Sequence, residues 1–434
     1  METMWTLHVE NFGRIESADI EVSPLTLFVG DNNSGKSYLL ALIYGLMCAE
    51  NNGILSDLCE DSPEYKVCAE CVDSTLCGLD LSADTEENSS YVTYELSFET
   101  DIFENLWNRI LHEYKTKILR LIFNKVISAD EISLKFPQGQ RATVWYSISS
   151  AVEDDVYATI FEVLQSMIRG VIIDDRVFYF PTARTGFLLT YPALTKDAFS
   201  RAYNRTESQN PDLTLTRPCT DFLGHLTTVK KSNAGSQYKS IVRFIENGIL
   251  HGKIVVSNDL PLPVFSYRPE TMKTEIPMFL TSDVIKEMTP LLLALQYQSA
   301  EALFIEEPEM NLHPQLQQTM ARVLVKLVNA GMPVFAATHS DTILQHINNM
   351  VKLSALPKKR QATLKKRFGF DKDDLIPADK ISMYQFDLQA SGKTAVRKLS
   401  CGQYGFEIPT FYAPLEALLR QTQDTEPGAE KYED

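Results

Sequence analysis

The segment Gly30-Asp31-Asn32-Asn33-Ser34-Gly35-Lys36-Ser37 fits the pattern G-x-x-x-x-G-K-[ST]. It follows LTLFV, an apolar run that reads as a strand. It precedes SYLLALIYGLMC, which has the length and apolar content of a buried helix. Phosphate binding asks for this context, because glycines let successive backbone N–H groups fold around phosphate oxygens and a helix N-terminus adds partial positive charge. Gly30, Asn32, Asn33, Ser34, Gly35, Lys36 and Ser37 are therefore candidate nucleotide-binding residues. Lys36 is placed to reach β- and γ-phosphates, and the Ser37 hydroxyl to ligate Mg²⁺.

Two further segments carry matching chemistry. Ala302-Leu303-Phe304-Ile305-Glu306-Glu307-Pro308 reads as a buried strand ending in two carboxylates. Opposite a phosphate loop, Glu306 would hold Mg²⁺ through water and Glu307 would polarise an attacking water. Two acids at a strand end are also an ordinary polar sheet edge. Thr338-His339-Ser340 follows the strand VFAA, and a histidine at a strand's C-terminal edge lies where α/β proteins bind ligands. His339 could contact a γ-phosphate there; a structural histidine is the alternative.

In order and spacing the three segments resemble the ABC-type ATPases, within them the branch shared by OLD-type, RecF-like and SMC-like proteins. The details behind this are N-F-G-R-I from Asn11, G-x-N-x-S-G-K-S in the loop, and E-E-P-E-x-x-L-H-P over Glu306 to Pro314. The resemblance covers residues 1–50 and 260–345 well and the middle poorly. It implies ATP and Mg²⁺ as cofactors, Glu307 as catalytic glutamate, His339 as switch histidine, and Asn311 to Pro314 as a loop reaching across a dimer. It also implies that Ser282, in the signature-like Thr281-Ser282-Asp283-Val284, caps the γ-phosphate of a partner subunit. A homo-oligomer built on ATP-sandwiched dimers follows. Asp283 departs from the family's glycine and brings a negative charge near that phosphate. Phe180-Pro181-Thr182-Ala183-Arg184 stands where a Q-loop glutamine should come, and Arg184 is either a phosphate or interface contact or an ordinary surface arginine.

The elements that must position these residues alternate strand and helix, so the expected fold class is α/β, an ABC-type ATPase head with a mixed or parallel sheet covered by helices. Its first part is residues 1–49. An acidic segment over 50–90 carries ten acids between Asn51 and Ser90 against the single base Lys66 and reads as an exposed insertion. The head continues over 91–185, a mainly helical insertion for partner or oligomer contacts over 186–260 interrupts it, and 261–434 completes it. Cys59, Cys68, Cys71 and Cys77 in the acidic insertion are candidate Zn²⁺ ligands; free thiols are the alternative.

A formal net charge of −16 over 434 residues argues against a general nucleic-acid coat. Local basic runs remain at Lys230-Lys231 and Lys358–Arg367, the latter also readable as the solvated face of a surface helix. No apolar run has bilayer-spanning length, so no membrane partner is expected. The start lacks a secretory pattern and the seven cysteines are odd in number, so the expected compartment is the cytoplasm.

The resemblance leaves three functional classes. An ATP-gated sensor-scaffold of an anti-phage system would control a separately encoded effector nuclease or toxin and answer to a phage-encoded trigger protein. A RecF-like ATPase would act on DNA. A transporter subunit fits least, lacking long insertions and keeping a well-formed signature. OLD nucleases carry a TOPRIM nuclease after the ATPase. Asp371, Asp373 and Asp374 lack the buried strand that such a site needs, so an effector is expected to act in trans. Acidity and the altered signature favour the first class, as does Glu407-Ile408-Pro409-Thr410-Phe411, which resembles the ending of stand-alone defence ATPases.

Overall fold

β1 (Thr6–Phe12) and β2 (Ile15–Glu21) pair antiparallel and alternate buried apolar with outward polar residues, the period of a strand with one wet face. β3 (Leu25–Gly30) is buried along its whole length, as a strand covered on both faces must be. It leads through the glycine-rich loop into α1 (Lys36–Met47). The chain is described here by a computed structural model covering residues 5–48, 91–137, 141–149, 176–203, 215–231, 237–403, 405–407, 419–422 and 425. The acidic insertion, its four cysteines and the segment 408–411 lie outside the described residues.

After β4 (Tyr91–Glu99) come α2 (Thr100–Phe123), β5 (Glu131–Lys135), β6 (Arg141–Ser149) and β7 (Val177–Phe180). Then follow α3 (Arg184–Tyr203), α4 (Arg217–Thr228), α5 (Lys239–Ile245), β8 (Gly252–Ser257), β9 (Val264–Pro269) and β10 (Ile276–Pro277). α6 (Asp283–Tyr297), β11 (Ala302–Glu306), α7 (Pro314–Asn329), β12 (Val334–Ala337), α8 (Asp341–Ser354) and α9 (Lys358–Phe368) alternate as the sequence suggests, before β13 (Ile381–Leu388) and β14 (Thr394–Leu399).

One nine-stranded sheet organises these elements, in the order β5-β1-β2-β14-β13-β3-β12-β11-β7. From β13 to β7 every pairing is parallel, whereas β5, β1 and β2 pair antiparallel, as do β13 and β14. The sheet is thus mixed. Its parallel half brings the C-terminal ends of β3, β12, β11 and β7 to one edge, where α/β folds place ligands.

Alternation along β3 splits the core in two. Leu25, Leu27 and Val29 face one cluster with α6, α7 and α8, while Phe28 faces the other with α1 and α2. Phe304 stacks on Phe335 with ring centroids 4.2 Å apart, and Tyr44 of α1 meets the edge of Phe304. Phe28, Phe304, Phe335 and Phe386 are fully buried, each contributing about 1.5–3 kcal/mol. This packing fixes α1, and so the phosphate loop, against the sheet.

The 186–260 segment, expected as a mainly helical insertion, packs its described apolar residues on the sheet. Leu188, Tyr191, Phe222, Leu226, Ile241, Ile245 and Ile254 join Leu25, Leu27, Phe178 and Leu303 in a single cluster. Its helices are amphipathic, and their apolar sides cover the sheet. Among the described residues, no helix is long and apolar enough to cross a membrane.

Candidate active site

Gly30 closes β3 at φ 121°, and a side chain there would place a Cβ 2.2 Å from the Phe386 carbonyl oxygen. Only glycine fits between β3 and β13. Gly35 caps α1 in left-handed conformation (φ 97°), and Asn33 also has positive φ (58°), the backbone steps by which a chain can fold successive N–H groups around an anion. Asn32, Asn33 and Ser37 are exposed at the loop's surface, and Ser34 is buried with its hydroxyl donating to the Asp31 carbonyl at 2.7 Å.

Lys36 is buried, and its Nζ donates to the carbonyls of Gly30 (3.1 Å) and Asp31 (2.5 Å) and to Ser34 Oγ (3.2 Å). Burial lowers its pKa to about 8, against the opposing pull of Asp31, Glu307 and Glu309. Between about pH 8 and 10.5 the unfolded chain therefore holds a proton that the folded chain lacks, and stability rises with pH over that window. An anionic phosphate beside Nζ favours the ammonium. ATP affinity is therefore expected to be flat up to about pH 8 and to fall by up to roughly tenfold per pH unit above it. Calorimetry at pH 8.5–9 in buffers of different ionisation enthalpy should show proton uptake on binding; none would mean that the ammonium is already charged.

The acid pair closes β11. Tyr179 donates to Glu306 Oε1, and Thr182 donates to Oε2 through its backbone N–H (3.3 Å) and hydroxyl (2.6 Å). Burial first and then the Glu306 charge push the Tyr179 phenol well above its usual pKa, so it remains a donor. Glu306 Oε1, with one donor, keeps further acceptor capacity, which fits a water-mediated Mg²⁺ contact. Thr182 stands in the segment expected to supply a Q-loop.

Glu307 is half-buried with φ 44°, a left-handed conformation that a non-glycine residue holds only when its surroundings enforce it. Its N–H donates to the Ala337 carbonyl (2.8 Å), and its own carbonyl accepts from Met310 N (3.0 Å) and Arg184 NH2 (3.0 Å). Arg184 was offered by the sequence as a phosphate or surface contact. It is instead buried, with NH1 donating to the Glu306 carbonyl (2.7 Å) and Nε paired with Glu287 Oε2 (2.6 Å). Burial pulls its pKa down and the surrounding carboxylates, Glu287 foremost, pull it back up.

His339 leaves β12 beside the phosphate loop. Burial, and then Lys36, lower its pKa, while a hydrogen bond to the Gly30 carbonyl acts the other way. The ring is thus neutral at pH 7. The His339 backbone N–H donates to Glu309 Oε1 (2.6 Å), and the Thr338 hydroxyl donates to Glu309 Oε2 (2.8 Å). Desolvation raises the Glu309 pKa despite these bonds. Glu309 thereby fixes the histidine loop, a role the sequence reading did not assign although the residue is the third acid of E-E-P-E. Ser340 continues the link, donating to Gln317 Oε1 (2.7 Å), while Gln317 Nε2 donates to the Leu312 carbonyl (2.8 Å).

Lys36, Glu307 and His339 are thus gathered at one sheet edge, with Glu306 beside them. Ser282 lies elsewhere on the surface, exposed as N-cap of α6, and Asp283 accepts from Lys286 Nζ at 2.9 Å, which offsets its charge. The other aspartates noted in the sequence serve packing. Asp374 is fully buried and accepts from Arg322 Nε (3.0 Å) and NH2 (2.8 Å), and Asp371 pairs with Lys326 (2.6 Å).

A phosphate loop, an acid pair and a histidine thus lie at the C-terminal ends of parallel strands, on a mixed sheet with helices on both faces, where α/β folds bind ligands. The AAA ATPase domain family matches residues 4–161 and 294–344, which hold all three segments. Among solved structures, an Smc head bound to the C-winged helix domain of ScpA is similar at TM-score 0.40 and 12% identity, over 91% of this chain and 97% of that one. An Smc head with an extended coiled coil bound to the C-terminal domain of ScpA, from Pyrococcus furiosus, gives TM-score 0.39 and 11% identity over 96% and 98%. The SMC head domain from Thermotoga maritima gives TM-score 0.33 and 12% identity over 91% and 98%. No curated protein matches the sequence.

An ATPase domain implies nucleotide binding, usually with Mg²⁺. The residues fit such a ligand: a glycine that a Cβ would displace, a buried ammonium lying on loop carbonyls, and an exposed Ser37 at the first turn of α1.

Proposed function

We propose that this chain hydrolyses ATP between two heads and uses the ATP-held assembly as a sensor-scaffold that holds and releases a separately encoded effector. The observation that carries the ATPase chemistry is the convergence of Lys36 and the His339 ring on the Gly30 carbonyl, with Glu307 electrostatically coupled to the same ammonium. Lys36 and the loop N–H groups would bind the phosphates, and Ser37 and Glu306 would hold Mg²⁺, which supplies neutralisation of phosphate charge. Glu307 would accept a proton as water attacks the γ-phosphorus and the bond to the bridging oxygen breaks, releasing ADP. His339 would donate to a γ-phosphate oxygen, and Ser282 would serve the partner's nucleotide.

The finer reading rests on sequence. The segment Glu407-Ile408-Pro409-Thr410-Phe411 resembles that of stand-alone defence ATPases such as AriA, the ATPase subunit of the PARIS anti-phage system. By that resemblance the effector is a TOPRIM nuclease, released when a phage-encoded trigger is sensed, and the work is done in the cytoplasm.

A second reading, a RecF-like or SMC-like ATPase acting on DNA, has one specific support. α9 carries six basic residues and no acid, buries none of its residues, and none of the six forms an ion pair among the described residues. Such a helix suits a phosphate backbone. The two readings separate on affinity purification of Glu307→Gln protein from its native host with ATP and Mg²⁺. A stoichiometric nuclease or toxin with little DNA is the expected result. Co-eluting DNA with repair proteins and no such effector would move the assignment to the second reading.

A further inference from the structure

Arg184 and Glu287 form an ion pair that the roles above leave unused, at the junction of three functional segments. Arg184 opens α3 next to β7, and Glu287 lies in the second turn of α6, five residues beyond Ser282. Both side chains are nearly inaccessible, at 3% and 2% exposure, with Nε and Oε2 2.6 Å apart. The rest of the guanidinium faces the acid pair's backbone, NH1 on the Glu306 carbonyl (2.7 Å) and NH2 on the Glu307 carbonyl (3.0 Å). Glu287 Oε1 in turn accepts from the Thr185 hydroxyl (2.5 Å) and from Asn311 Nδ2 (3.1 Å), in the loop after the acid pair.

We propose that Arg184 and Glu287 are positioning residues that make the competence of Glu307 depend on the placement of α6. The guanidinium is a rigid planar fork, so its bonds to two successive carbonyls and to one carboxylate are geometrically linked. The Glu307 carbonyl belongs to a residue held at φ 44°, and one of its acceptor bonds comes from this fork. A buried carboxylate cannot part from the buried cation it pairs with without a large desolvation penalty. A shift of α6 is therefore carried to the peptide that aims the catalytic acid.

The inference rests on the reading above, in which Ser282 contacts the nucleotide of a partner head. Under it, occupancy of the partner's site moves α6 of this head, and the clamp reports the movement to this head's own Glu307. The two ATP molecules of a dimer would then be hydrolysed cooperatively. Asn311, exposed and itself at positive φ (57°), ties the loop between the acid pair and α7 to the same carboxylate.

The test is steady-state ATP hydrolysis by the full chain against ATP concentration, with ATP binding and melting temperature measured alongside. Glu287→Gln keeps an acceptor for Thr185 and Asn311 but removes the charge that holds the fork. Expected are a wild-type Hill coefficient above 1, and in the variant a Hill coefficient of 1 with kcat at least about tenfold lower and ATP affinity within about threefold. The proposal is overturned if the folded variant keeps kcat and cooperativity, or if it loses ATP affinity in step with kcat, which a merely structural role would produce. Should Glu287→Gln fail to fold, Asn311→Ala leaves the buried pair intact and should still lower the Hill coefficient at unchanged affinity; an unaltered coefficient overturns the proposal. Cooperativity absent from the wild type sinks the coupling alone, whereas absent turnover sinks the ATPase reading with it.

Discussion

Lys36→Ala lowers ATP affinity by at least about a hundredfold, equivalent to about 2.7 kcal/mol, while the fold survives. The size follows from what Nζ does. It is a buried cation with three acceptors in the loop itself, all within 3.2 Å. Phosphate oxygens would draw on the same ammonium, and charge-assisted bonds of this kind contribute about 1.5–3 kcal/mol each. Alanine leaves the phosphate charge to backbone N–H groups and the α1 dipole alone. Stability should change little or even improve, because burial already disfavours the charged lysine, whose pKa is lowered to about 8. Titration with a fluorescent ATP analogue and a melting curve check both halves. Affinity retained within about fivefold would show that phosphates bind elsewhere.

The parts of this site legible in the sequence are those specified locally. The phosphate loop needs glycines at Gly30 and Gly35, and both occupy positive-φ positions in the structure. The strands β1, β2 and β3 announce themselves by alternation or by continuous burial. What the sequence hides is set by partners far along the chain. β13 inserts between β14 and β3, with Phe386 opposite Gly30, although more than three hundred residues separate them. Nothing near Arg184 reveals that Glu287, in another helix, will form an ion pair with it, so the residue reads as a phosphate or interface contact or a surface arginine until α6 is packed. The same holds for Glu309, whose function depends on the backbone of a strand that pairs beside it. The 186–260 segment read as an insertion because its sequence is largely polar, yet an amphipathic helix needs only one apolar stripe to join a core. Leu188, Phe222 and Ile245, one from each of three helices, belong to such apolar sides.

Glu307→Gln should cut ATP turnover by a factor on the order of 10²–10⁴, the usual loss on removing a general base, with ATP affinity changed by no more than about threefold. The substitution is nearly isosteric, and the features that hold the residue belong to its backbone. Its N–H donates to Ala337, and its carbonyl accepts from Met310 and Arg184, so the left-handed φ of 44° persists in the variant. Glu306, the phosphate loop and the Glu309–His339 bond are untouched. Only proton acceptance is lost, because an amide at this position cannot take the proton that an attacking water must shed. ATP should therefore remain bound, and any assembly that requires it should accumulate instead of cycling. Single-turnover and steady-state hydrolysis assays, with nucleotide content measured on the purified protein, read these quantities directly. Turnover equal to the wild type would transfer the base role to another group. Another carboxylate in the site is Glu309, whose raised pKa and bond to the His339 backbone make Glu309→Gln the decisive companion. If that variant instead abolished turnover, the histidine loop would hold the proton acceptor. If both were silent, the chemistry would not use this strand end at all.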